Sequence, residues 1–87
     1  MSRKEFLDKH KDLFWHFNKT QLEDLSDDIL VEYILNYGDE KAVKELIDLL
    51  GIHQVAAIFF RNTKGKRINY LPEVQNFFYH YFLRNAS

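Results

Sequence analysis

"SDDILVEYILNYGDEKAVKELIDLLG", residues 26–51, repeats one helical grammar twice. Ser26 is a good N-cap, because its hydroxyl can accept from a free N–H of the first turn. Asp27 and Asp28 follow at the positive end of the helix dipole. Ile29, Leu30, Tyr33, Ile34 and Tyr37 recur at helical spacing as one apolar stripe. Gly38 closes the segment as the residue best able to take a left-handed C′ conformation. Asp39 then caps a second helix, Val43, Leu46, Ile47 and Leu50 form its buried face, and Gly51 ends it. Glu40–Lys44 and Lys41–Glu45 are i,i+4 pairs on the outer face, worth about 0.2–0.5 kcal/mol each and read as solvated scaffolding. Two capped helices in succession decide for an all-α fold.

Downstream, "IHQVAAIFFRN" (52–62) is apolar nearly all round, as a helix in the middle of a bundle should be. A short buried strand competes; the two Ala residues and the flanking helices favour helix. "TKGKRINY" (63–70) is a polar connection turning at Gly65. Pro72 suits the first position of a last helix, with Glu73 beside it. That helix, "PEVQNFFYHYFLRN", sets Val74, Phe77, Phe78 and Tyr81 on one face, while Tyr79, Phe82 and Leu83 spread apolar area onto a second. Upstream, "TQLE" fits a capping box between Thr20 and Glu23. "EFLDKHKDLFWHF" (5–17) holds one or two short helical turns anchored by Phe6, Leu7, Leu13, Phe14, Trp15 and Phe17. The expected architecture is an all-α orthogonal bundle of about four to five short helices in one domain. Residues 1–18 form an N-terminal arm and 20–84 the bundle, with a helix-turn-helix-like hairpin inside it.

The chain has 87 residues, 46% hydrophobic and 16% aromatic. A domain of this size buries only about 60% of its unfolded surface, so a rich apolar complement must be used efficiently or shared with a partner. Cysteine is absent, which excludes disulfides and thiolate chemistry and fits a reducing compartment. The longest apolar run, "VAAIFF" (55–60), is far short of a membrane span. "MSRKEFLDKHKD" lacks the apolar stretch of a signal peptide, so the cytoplasm is the expected location.

Catalytic patterns are missing. No Ser sits in a nucleophile elbow or an S-x-x-K setting, and the four His residues lack metal-ligand spacing. With three Gly in all there is no phosphate-cradling loop. The expectation is a non-enzyme without cofactor or metal.

Charge is uneven although the net is −1. Residues 20–48 hold nine acids against Lys41 and Lys44, while from residue 49 onward Glu73 faces Arg61, Lys64, Lys66, Arg67 and Arg84. Arg61, Lys64, Lys66 and Arg67, with Asn69 beside them, are the candidates for electrostatic docking or nucleic-acid contact. The plain alternative is a solvated loop whose cations favour the end of the preceding helix. A pI near 6.4 argues against a dedicated nucleic-acid binder. "LIDLLGIHQVAAIFF" resembles a helix-turn-helix, but bulky Ile47 stands where a small residue is usual. Its second helix would also show Val55, Ile58 or Phe59 to a groove that wants polar readers. The aromatic excess supplies the other candidates: Trp15, Tyr79, Phe82 and Leu83 as a partner interface, which a second copy of the chain could also fill as a homodimer.

"LSDDILVEYILNYGD", "VKELIDLLGIHQVAAIFF" and "KGKRINYLPEVQNFFYHYF" resemble a family of small, uncharacterised all-helical bacterial proteins. The likeness runs from Leu13 to Arg84. It includes a Trp- and Phe-rich stretch, here "LFWHF", ahead of Leu25 and Ser26, then the basic turn and the Pro of the last helix in the same order. Members are often encoded beside nucleotidyltransferase-type toxins of the abortive-infection class. The resemblance implies an antitoxin-like or accessory protein that binds such an enzyme; it carries no catalytic motif and assigns no site residues.

Overall fold

The computed structural model describes residues 1–86. It contains α1 (Arg3–Lys9), a 3-10 turn (Lys11–Phe14), α2 (Lys19–Glu23), α3 (Asp27–Tyr37), α4 (Glu40–Leu50), α5 (Ile52–Asn62) and α6 (Pro72–Asn85). No strand occurs among the described residues. The protein is a small all-α bundle, with six α-helices among the described residues beside the about four to five expected. The surplus comes from the N-terminal third, where the short turns read from the sequence resolve into α1, the 3-10 turn and α2.

Most boundaries follow the local chemistry. Ser26 Oγ accepts from the Ile29 N–H at 3.3 Å, and Asp39 Oδ1 from the Ala42 N–H at 2.8 Å. Gly51 takes φ +88°, a conformation that L side chains rarely adopt. Two details differ. The capping box lies two residues earlier, where Asn18 Oδ1 accepts from the Gln21 N–H at 2.8 Å and Gln21 Oε1 from the Asn18 N–H at 2.9 Å. Asn18 outcompetes Thr20 because it and Gln21 satisfy two helix-end donors reciprocally. Gly38 is not left-handed; its φ is −77°. Glycine fits there for space, since a Cβ would lie 2.7 Å from the Ile34 carbonyl oxygen.

The core gathers around α5, which buries Val55, Ala56, Ile58 and Phe59. The Phe59 ring meets Tyr70 at 5.0 Å, Phe82 and Phe60 at 5.4 Å and Phe78 at 6.4 Å between centroids, mostly tilted or edge-on as aromatic quadrupoles prefer. From α3 come Leu30, Val31, Ile34 and Leu35. The buried stripe is thus rotated from the expected one: Val31 and Leu35 turn inward, and Ile29 and Tyr37 are exposed. The reason is neighbourhood, because α3 packs on α4, α5 and the 3-10 turn together and needs a broader face than one stripe. Segment 1–18, read from the sequence as an arm, contributes Phe6, Leu7 and Phe14 to the same core cluster.

Polar ties brace the shell. Asp27 accepts from Arg3 of α1 and, at 3.2 Å, from Gln54 of α5. Asp28 accepts from Arg61 at 2.5 Å and Asn62 at 3.2 Å. The first turn of α3 therefore holds both α1 and α5, beyond the helix-dipole role the sequence suggests. Glu45 is a second correction. Instead of pairing with Lys41 on an outer face, its carboxylate meets Lys9 at 2.7 Å and His10 at 3.0 Å and docks α1 on α4. The expected Glu40–Lys44 pair is present at 3.2 Å. Among the described residues, no helix is long and apolar enough to cross a membrane.

Candidate functional site

The basic connection is anchored at both ends. At its start, the Thr63 hydroxyl donates to the Phe59 carbonyl at 3.0 Å, ending α5, while Arg61 is held by Asp28. At its far end, Asn36 of α3 clasps the backbone: its amide donates to the Asn69 carbonyl at 3.1 Å, and its oxygen accepts from the Leu71 N–H at 3.1 Å. Tyr70, read from the sequence as one of the polar residues in the loop, is buried against Phe59. Its hydroxyl has no hydrogen-bond partner. Burial, then the charges of Glu32 and Asp28, push its pKa up. The freely presented part is the tip, where Lys64, Lys66 and Arg67 are exposed and stand in no ion pair among the described residues. Arg61 is engaged elsewhere and Asn69 serves through its backbone, so the five candidate residues divide into a three-cation tip and two structural positions.

The helix-turn-helix expectation meets a different surface from the one the sequence suggests. Val55, Ile58 and Phe59 are buried, and α5 instead exposes His53, Gln54, Ala57 and Arg61. Each polar member of that strip is occupied within the molecule. His53 Nδ1 lies 3.1 Å from the Ala86 carbonyl oxygen, Gln54 bonds Asp27, and Arg61 bonds Asp28. Asp27 and Asp28 beside the strip are themselves paired with Arg3 and Arg61.

The four aromatic and aliphatic candidates separate as well. Phe82 is 1% exposed and belongs to the core around Phe59, not to an interface. Tyr79 and Leu83 remain 48% and 49% exposed on one flank of α6. Trp15 is 80% exposed after the 3-10 turn, edge-on to His16 at 5.2 Å, and no ring contact joins it to α6 among the described residues. Its setting is a second aromatic group in which His16 Nε2 lies 2.8 Å from the Tyr33 hydroxyl and Tyr33 stacks on Phe14 at 5.6 Å.

Sequence reasoning missed Phe77. Set there on one face with Val74, Phe78 and Tyr81 and not named among the interface candidates, it is 60% exposed and stacks on Tyr81 at 6.1 Å and 17°. It stands at the lip of a groove of about 490 Å³ between α4 and α6, with Leu35 of α3 also in its wall. Val43, Ile47, Val74 and Tyr81 provide its other apolar walls; Asp39, Glu40, Lys44 and Glu73 supply its charges. The helical spacing of α6 could not single out Phe77, because apolar residues cover most of that helix's circumference. No group of three or more His, Cys, Asp or Glu side chains suited to a metal ion occurs among the described residues. No family model, curated protein or solved structure matches this chain.

Proposed function

We propose that the protein is a non-enzymatic interaction module, antitoxin-like, whose partner is a nucleotidyltransferase-type toxin. The observation that carries the interaction reading is the apolar surface of α6: Phe77 on one flank and Tyr79 and Leu83 on the other are each about half exposed or more, on a helix whose buried side chains are Phe78 and Phe82. Large rings held in water on a rigid helix are the usual anchors of protein interfaces. The cationic tip at Lys64, Lys66 and Arg67 complements this by steering an acidic partner surface. The choice of partner class rests on the resemblance of the sequence.

The test is a nuclease-treated pull-down of the tagged protein from its native cells, read by mass spectrometry. Stoichiometric capture of a nucleotidyltransferase-like protein is expected, surviving moderate salt and lost on Tyr79→Ala with Leu83→Ala. The reading falls if no protein is captured and the untreated protein instead holds nucleic acid with an affinity that drops steeply with salt, the signature of phosphate contacts.

A further inference from the structure

We propose that the groove between α4 and α6 is a docking site for a basic amphipathic helix of a protein partner, an inference that rests on the interaction-module reading. The groove has the form such a ligand needs. Its walls are helices, its lining is largely aliphatic and aromatic, and its charged groups belong to the rim. A volume of about 490 Å³ is ample for a row of side chains. Among the described residues no buried side chain is polar in character apart from Tyr70, which is not part of this lining, so the groove keeps its polar groups at the exposed rim and an apolar floor beneath them. Helix-in-groove recognition needs only apolar anchors at i, i+3, i+4 and i+7. The stacked Phe77 and Tyr81 rings give it an aromatic wall.

Charge selects the occupant. Asp39, Glu40 and Glu73 face Lys44 alone, and Lys44 is paired with Glu40 at 3.2 Å, so three acids less one cation leave two negative charges at the rim. A helix with Lys or Arg flanking its apolar stripe is favoured and an acidic one is turned away. The protein's own helices do not supply that ligand. The two with a net positive charge, α1 and α5, commit Phe6 and Leu7 and Val55, Ala56, Ile58 and Phe59 to the core, and α6 carries Glu73 and Arg84 in balance.

The probe is a synthetic helical peptide of about 15 residues, long enough for marginal helicity, with Leu at the anchor positions and Lys on the flanks, beside a twin carrying Glu instead of Lys. Each is titrated into isotope-labelled full-length protein and followed by amide shift perturbation. The expected result is perturbation centred on Val43, Ile47, Val74 and Phe77, with the Lys peptide binding about tenfold or more tightly than its twin at low salt. Phe77→Ala should weaken it about 30-fold, the scale of a hot spot, and Glu73→Lys should reduce its preference over the twin. Both residues are exposed, so both variants should fold. Equal binding of the two peptides, shifts outside the groove, no binding, or concentration-dependent shifts at these residues without peptide, which would mean a second copy occupies the groove, each overturn the proposal.

The same variants separate this inference from the reading beneath it. If wild type captures its partner and Phe77→Ala and Glu73→Lys capture it equally, the module reading stands and the groove is not its docking site. If wild type captures no protein while the Lys peptide binds as expected, the toxin-partner reading falls and the groove assignment remains.

Discussion

α5 and α6 are both crowded with phenylalanine, yet they spend it differently. α5 places Phe59 at the centre of the molecule, 0% exposed, with rings from α6 and Tyr70 around it. α6 buries Phe78 and Phe82 against it and leaves Phe77, Tyr79 and Leu83 in water. The difference lies in neighbours rather than in composition: α5 packs on α3, α4 and α6, whereas the principal contact of α6 is α5. An aromatic residue is core when helices surround it and surface when only one does. Apolar surface beyond what one contact can absorb is what a partner would use.

Truncation is the strongest way to break that comparison. Phe59→Ala should cost about 3–5 kcal/mol, through lost transfer energy and the cavity left among four rings. A domain of this size has only about 4–13 kcal/mol in total, so the loss is a large share of it. Phe77→Ala should stay within about 0.5 kcal/mol of wild type, as surface changes do. Urea denaturation followed by circular dichroism measures both. Equal losses would show that Phe77 is as structural as Phe59 and would remove the contrast.

The helix starts sharpen it next. Neither α5 nor α6 has a side-chain cap. α5 leaves α4 through one residue, Gly51 at φ +88° and ψ +141°, where a Cβ would touch nothing within 4 Å. Gly51→Ala therefore tests backbone conformation alone and should cost about 1–3 kcal/mol. Pro72→Ala, at the start of the less surrounded helix, should cost no more than about 1 kcal/mol, through a freer unfolded chain. A Gly51→Ala protein as stable as wild type would mean that α5 tolerates a different approach from α4.

Tyr70 marks the limit of the buried aromatic group from the polar side. Its hydroxyl is buried without a partner, so Tyr70→Phe removes a desolvated donor and should be neutral or stabilising by up to about 1 kcal/mol. A loss of that size in the melt would reveal a hydrogen bond to the phenol and make this layer less purely apolar than α5 suggests.

What the sequence makes legible follows the same division. Ser26, Asp39 and Gly51 could be placed from sequence because capping and left-handed turns involve residues within a few positions. The burial of Val55, Ala56, Ile58 and Phe59 was legible because "VAAIFF" is apolar throughout, although α5 also turns His53, Gln54, Ala57 and Arg61 outward. The faces of α6 were not, since Phe77 and Phe78 are chemically alike and only the position of α5 distinguishes them. Glu45 misled for a related reason: the i,i+4 rule offers Lys41, while Lys9 and His10 arrive from 36 and 35 residues away. Local rules cannot register a competitor that tertiary packing delivers, and both halves of the candidate surface, the exposed lip at Phe77 and the three-cation tip, are defined by such packing.

α1 offers the smallest and most selective test, because charge holds it to α4 where α6 is held by rings. The Glu45 carboxyl is kept below its ordinary 4.5 chiefly by the hydrogen bond from Lys9, then by that from His10. A depressed folded value means that its contribution is complete above 4.5 and fades as pH falls through that lower value. Lys9 is raised above 10.5, mainly by the Glu45 bond, so its share is lost only as pH rises through the raised value. The pair is solvent-accessible at Lys9 and its effect on global stability should be small. Local opening is the better measurement. Below pH 4.5, hydrogen exchange corrected for intrinsic rate should lose protection in α1 before α5 or α6, and Glu45→Gln should abolish that selective loss. Equal loosening of α1 and α6 in acid would mean that the bundle responds as a whole, and that the two modes of attachment are not independent.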